Sequence, residues 1–118
     1  MINRIAIATV GLIASVGLAA TALAAEKSVT GTLEDSFCYV TMGAHGPDHK
    51  KCATGCAKKG IPVALVEKGS DNLYVLLPPK NAEPLPNSVI SKMEEEVTIT
   101  GDAFSKGGVN YLTVKSLK

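Results

Sequence analysis

The sequence predicts a mainly β protein, a small barrel of five strands. Three features point there: a length suited to one domain, five short segments of alternating apolar and polar residues, and turn signals between them. The first 25 of the 118 residues, MINRIAIATVGLIASVGLAATALAA, must be set apart first. Arg4 gives a basic start, Ile5 to Leu18 is an apolar run, and Ala22-Leu23-Ala24 fits the small-residue pattern of a cleavage site. This is the pattern of a secretory signal peptide, whose small-residue end marks processing and not a retained anchor. No cysteine stands at the cleavage site to carry a lipid. The expected mature protein, residues 26 to 118, is therefore a single domain in the periplasm or outside the cell. Arg4 is the only arginine, so the remainder carries eleven lysines against eleven acids. A balanced charge offers no basic field for nucleic acid.

The elements follow in order. Residues 28 to 36 alternate, with Val29, Gly31 and Leu33 on one face and Thr30, Thr32 and Glu34 on the other. Gly31 marks a bulge or tight bend. Residues 62 to 68, PVALVEK, and 73 to 77, LYVLL, are the second and third strands, joined by a Gly-Ser-Asp-Asn turn and stopped by Pro78-Pro79. Asn87 or Ser88 caps a short helix whose apolar face is Val89, Ile90 and Met93. The run Glu94 to Glu96 reads as a solvated charged edge. Residues 97 to 104, VTITGDAF, and 109 to 114, VNYLTV, are the last two strands, with Gly107-Gly108 in the turn between them. Tyr74 and Tyr111 read as packing residues. Five strands with a helix between the third and fourth is the order of an OB-like barrel.

The chemistry is concentrated in the insertion after the first strand, CYVTMGAHGPDHKKCATGCAKKG, residues 38 to 60. It holds all three cysteines and both histidines of the chain. Pro47 suits a first helical turn, Lys58 and Lys59 a last one, and Gly60 a left-handed cap before Pro62. His49, Cys52 and Cys56 then share one helix face, and Cys38, at the end of the first strand, comes over it. Three thiols and an imidazole suit a tetrahedral Cys3His site for zinc, while soft sulfurs also select copper(I). Met42 and His45 stand by as supplementary ligands, and Asp35 as a hydrogen-bond acceptor behind a ligand histidine.

Other chemistries compete. In an oxidising compartment Cys38 could pair with Cys52 or Cys56, stapling the insertion and leaving one free thiol. Cys52 and Cys56 could also exchange electrons as a thiol oxidoreductase. Haem attachment needs C-x-x-C-H, but this chain has C-x-x-x-C followed by Ala57. There is no G-x-S-x-G, and Glu34 and Asp35, adjacent on a strand, face opposite sides. No enzyme active site is expected. The copper chaperones of the Sco type share the C-x-x-x-C spacing, but in a different fold.

The residues Gly31, Asp35, Cys38, His49, Cys52, Cys56, Gly60 and Pro62 fall on the outline G-x-[LV]-x-D-x-x-C … H-x-x-C-A-x-x-C-x-x-x-G-x-P. In this the chain resembles a set of small exported bacterial proteins of unassigned function. The resemblance covers residues 31 to 66 and implies that Cys38, His49, Cys52 and Cys56 belong together. The expected function is metal binding in the periplasm or outside the cell, with zinc or copper(I) as the ion. In the stapled alternative the protein is an interaction module whose barrel face binds an envelope protein or an envelope polymer.

Overall fold

The computed structural model describes residues 24–118, together with Gly11 and Gly17. The rest of the expected leader lies outside the described residues. Among them, no helix is long and apolar enough to cross a membrane.

The chain runs β1 (Ala25–Asp35), α1 (Ser36–Met42), a 3-10 turn (Pro47–His49), α2 (Lys50–Lys58), β2 (Val63–Glu67) and β3 (Leu73–Leu77). It continues through α3 (Asn87–Ile90), β4 (Glu96–Lys106), β5 (Val109–Thr113) and β6 (Ser116–Leu117). The hydrogen-bonded order is β1-β2-β3-β5-β4, and β4 returns to β1, so five strands close into an OB-like barrel. The β4–β1 pairing joins the two outer strands that an open five-stranded sheet would leave as its edges. The β3–β5 pair is parallel and the other pairs are antiparallel. The two-residue β6, which the pattern did not foretell, pairs along the outer side of β4 through Ile99 and Leu117.

The alternation in β1 is obeyed as far as Leu33, with Val29, Gly31 and Leu33 buried between half-buried Thr30 and Thr32; Glu34, expected beside the threonines, is buried as well. Leu33, Leu65, Ile99 and Leu112 are fully buried at the centre. Val89, Ile90 and Met93, from α3 and the turn after it, join the same core. The N-cap of α3 is Pro86, without a side-chain bond, and not Asn87 or Ser88. Tyr74 is buried, and its hydroxyl accepts a bond from Lys27 Nζ at 2.7 Å.

Two long strands must bend to serve two partners each. β1 pairs with β4 through Ala25–Thr32 and with β2 through Gly31–Asp35. At Gly31 a Cβ would lie 2.1 Å from the Val66 carbonyl oxygen. At Gly101 in β4 it would lie 1.5 Å from the Thr113 carbonyl oxygen. Both glycines are required by close backbone approach, the tight-bend reading made for Gly31.

Two expectations fail near the insertion. The first strand ends at Asp35, and Cys38 lies on a helix, α1, not at a strand end. The helix starts there because the Asp35 side chain caps it. The acidic edge is solvated only in part: Glu96 is exposed, but Glu94 is 8% exposed. Glu94 is turned inward by a left-handed backbone (φ 64°), held by its own N–H to the Leu33 carbonyl at 2.7 Å. Such a conformation in a non-glycine residue costs about 1–2 kcal/mol and persists only where neighbours fix it.

Gly101→Ala should therefore lower stability by about 1–3 kcal/mol, the usual cost of overpacking, with near-native circular dichroism at low temperature. A melting temperature equal to the parent's would contradict the close approach.

Candidate metal centre

Asp35 organises the site. It is the last residue of β1, 2% exposed, with a β backbone conformation. Its Oδ1 accepts the N–H of Phe37 at 3.0 Å and of Cys38 at 3.4 Å. Helix starts leave such N–H groups without partners, and a carboxylate is well placed there by the helix dipole. One oxygen is thus used to start α1. The other, Oδ2, is buried and has no hydrogen-bond partner.

The helix it starts is stopped within two turns. Gly43 takes the left-handed conformation (φ 65°), and the N–H groups of Gly43 and Ala44 return to the carbonyls of Tyr39 and Cys38. Cys38, on the inward side of α1, is 8% exposed. The chain then crosses to the 3-10 turn, whose His49 N–H bonds the Gly46 carbonyl at 3.0 Å. Gly46 is fixed in turn, since its N–H donates to Glu94 Oε2 at 2.9 Å. His49 is half-buried, and its Nε2 is a second buried nitrogen or oxygen atom without a partner.

These placements converge. One ligand atom each from Asp35, Cys38 and His49 lies within 4.8 Å of the other two, so the three could hold one metal ion. Asp35 is therefore a candidate ligand in its own right, whereas the sequence suggested a hydrogen-bond acceptor behind a ligand histidine. Its signal was present: an Asp closing a strand pattern, with Gly43 eight residues on, frames a short capped helix.

Cys52 and Cys56 lie one turn apart on α2, as their spacing requires. Small Ala53 and Ala57 on the adjoining stripe are buried in the barrel core, which lets α2 sit close to the sheet. The helix ends as expected at Gly60 (φ 93°), and the Pro62 carbonyl accepts the Ser36 N–H at 3.1 Å, joining its exit to the start of α1. Cys56 is half-buried beside Asp35 and Cys52 is exposed; the two lie outside the mutual 4.8 Å set. Met42 is 65% exposed, and exposed His45 stacks edge-on against Tyr39 with ring centroids 6.4 Å apart. Neither reaches the group. All three cysteines are free thiols.

The electrostatics follow from Asp35. Burial pushes its carboxyl up, but the neighbouring thiols of Cys56 and Cys38 and the two capping N–H groups outweigh burial and hold it below the usual range. The thiols act on the carboxylate as weak S–H donors, although Oδ2 accepts no well-formed hydrogen bond. Burial, then the Asp35 carboxylate, push the Cys38 thiol up. The Asp35 carboxylate, then burial, push Cys56 up to about 11. Without a cation, both thiols hold their protons at neutral pH.

Behind the group is an acid pair. Glu34 is 4% exposed, and both Glu34 Oε2 and Glu94 Oε1 are buried without partners. Burial first, then Glu94 and the Asp35 charge, push Glu34 up to about 8. At the α2 start, Lys50 pairs with Glu95 on a half-exposed surface, and Lys92 joins the same carboxylate at 3.6 Å. Such pairs add at most about 1 kcal/mol each.

Comparison with protein-family models, curated proteins and solved structures finds no match. The site must be judged from its own geometry.

Two outcomes follow from it. Asp35→Asn keeps an N-cap oxygen but removes the charge, so unfolding should change little while affinity for an added divalent ion falls about tenfold or more; Asp35→Ala should add about 1 kcal/mol of destabilisation. Equal metal-ion affinity in Asp35→Asn and the parent would remove Asp35 from the ligand set. The second concerns pH. Glu34 in the folded protein binds its proton more tightly than in the unfolded chain, where its value is 4.5. Stability of the metal-free protein should fall as pH rises from about 4.5 to about 8, because the native state holds the extra proton there. Urea midpoints measured across that window should fall less steeply in Glu34→Gln, and parallel profiles would contradict the shift.

Proposed function

We propose that the protein is an exported metal-binding protein whose ion is held by Asp35, Cys38 and His49. The observation that carries the reading is the pair of buried, unpartnered atoms Asp35 Oδ2 and His49 Nε2 in one group with Cys38. Buried polar atoms without partners are rare and costly, at about 1–3 kcal/mol each, and a cation relieves both. The N-terminal pattern supports export to the periplasm or the exterior.

The donor set favours zinc over copper(I). Oxygen, nitrogen and sulfur together suit a borderline ion with tetrahedral preference, whereas copper(I) selects sulfur. Cys56, beside Asp35, is the nearest candidate for a fourth ligand and brings the set toward the Cys/His composition expected from sequence. Asp35 anchors the ion through the oxygen not used by α1, and His49 approaches from the 3-10 turn. A thiol oxidoreductase is less well supported. Such a thiol needs a depressed pKa, and Cys56 is displaced to about 11.

Native mass spectrometry of protein purified from the periplasm without added metal should show one bound zinc, removed by chelator and missing in Cys38→Ser and His49→Ala. Coordination expels the Cys38 proton, so affinity should rise between about pH 6 and about pH 8, with proton release measurable by calorimetry in buffers of differing ionisation heat. A mass two hydrogens below the reduced chain, with no ion bound, would replace this reading with a disulfide.

A further inference from the structure

The three thiols are graded in depth. Cys38 is buried, Cys56 half-buried and Cys52 exposed. Cys56 lies one turn after Cys52 on α2, with the Asp35 carboxylate as its neighbour on the inner side. Cys52 and Cys56 share an open groove of about 490 Å³ with Asp48, Lys51, Gly55 and Lys59. The sulfurs are thus ordered in depth from solvent toward the group of Asp35, Cys38 and His49, where two buried donor atoms wait without partners.

We propose that Cys52 is the exchange ligand of this site: it receives the ion from a thiol-bearing donor and hands it inward through Cys56, without being a resident ligand. The proposal rests on the metal-binding reading above and assigns its route of loading. Position separates the two roles. A resident ligand belongs with the enclosed donors, but Cys52 lies outside their mutual distance and is open to a second molecule. Cysteines one helical turn apart have Cβ atoms about 5–6 Å apart, close enough for one ion to bridge both sulfurs during a step. Lys51 and Lys59 line the same groove and favour an anionic donor complex.

Each step is a ligand substitution with no change of oxidation state. A zinc–sulfur bond to the donor breaks as the bond to Cys52 forms, and the Cys52 proton goes to the departing donor thiolate. The zinc–Cys52 bond then breaks as the bond to Cys56 forms, and the Cys56 proton returns to Cys52. Cys38 joins last, losing its proton to water, as Asp35 and His49 take the ion from the other side. Only the sulfur of Cys52 must meet the donor.

The test separates rate from affinity. Zinc is supplied either as its complex with glutathione or as the hydrated ion, and uptake is followed by stopped flow in the parent, Cys52→Ser and Cys38→Ser proteins. Cys52→Ser should keep equilibrium affinity within about threefold but slow uptake from glutathione by about tenfold or more, a barrier change of about 1.4 kcal/mol. Uptake of the hydrated ion should be slowed much less. Cys38→Ser should instead lose affinity. Affinity falling in Cys52→Ser as far as in Cys38→Ser would make Cys52 a resident ligand and overturn the proposal. Unchanged uptake from glutathione would also overturn it, with the site intact. A parent protein that binds no zinc from either source would defeat the metal-binding reading itself.

Discussion

Everything at the candidate site depends on a division of labour within one carboxylate. Asp35 ends β1 because Oδ1 takes the first N–H groups of α1, and this turns Cys38 inward over the barrel end. The same interaction leaves Oδ2 enclosed and without a partner. Using one oxygen for a helix start fixes the other in orientation, because a capping side chain cannot rotate without releasing its N–H groups. The ligand is thereby positioned before any ion arrives, so little ordering remains to oppose binding.

The barrel was legible because it depends on features that sequence records directly. Alternation in β1, β3 and β4, prolines after β3, and glycines at Gly31 and Gly101 each constrain the backbone locally, and their order gives the topology. The helical stretch ending at Gly60 was legible for the same reason. What escaped was short or long-range. The seven residues of α1 are too few to establish a period, and their cap at Asp35 looks the same as a solvated acid until the fold is known. Glu94 was invisible as a buried residue, since its inward turn depends on a left-handed backbone locked to Leu33. Cys38 and His49, named from the sequence, share one mutual distance with Asp35, and the sulfurs of α2 fall outside it.

The acid pair Glu34 and Glu94 shows the tension in this arrangement. Burying two carboxyl groups next to a buried aspartate is unfavourable unless protons or a cation reduce the charge. Glu94 compensates in part by bonding Gly46, and so couples the barrel to the turn that presents His49. Exposed Phe37, Val40 and Met42 cover the outer side of α1, so the chemistry faces inward while the helix surface stays apolar.

The bond from Gly46 to Glu94 also has a kinetic meaning. It spans 48 positions in sequence, and the Lys50–Glu95 pair spans 45. Both ties attach the insertion to the entrance of β4, a strand whose pairing with β1 closes the barrel. Contacts of such separation form only after the intervening chain has been gathered, at a loop-closure cost met late in folding. The donor atoms are carried by a segment that could be made early, yet their geometry is completed by residues made much later. An ion bound at this centre would therefore report that the barrel has closed.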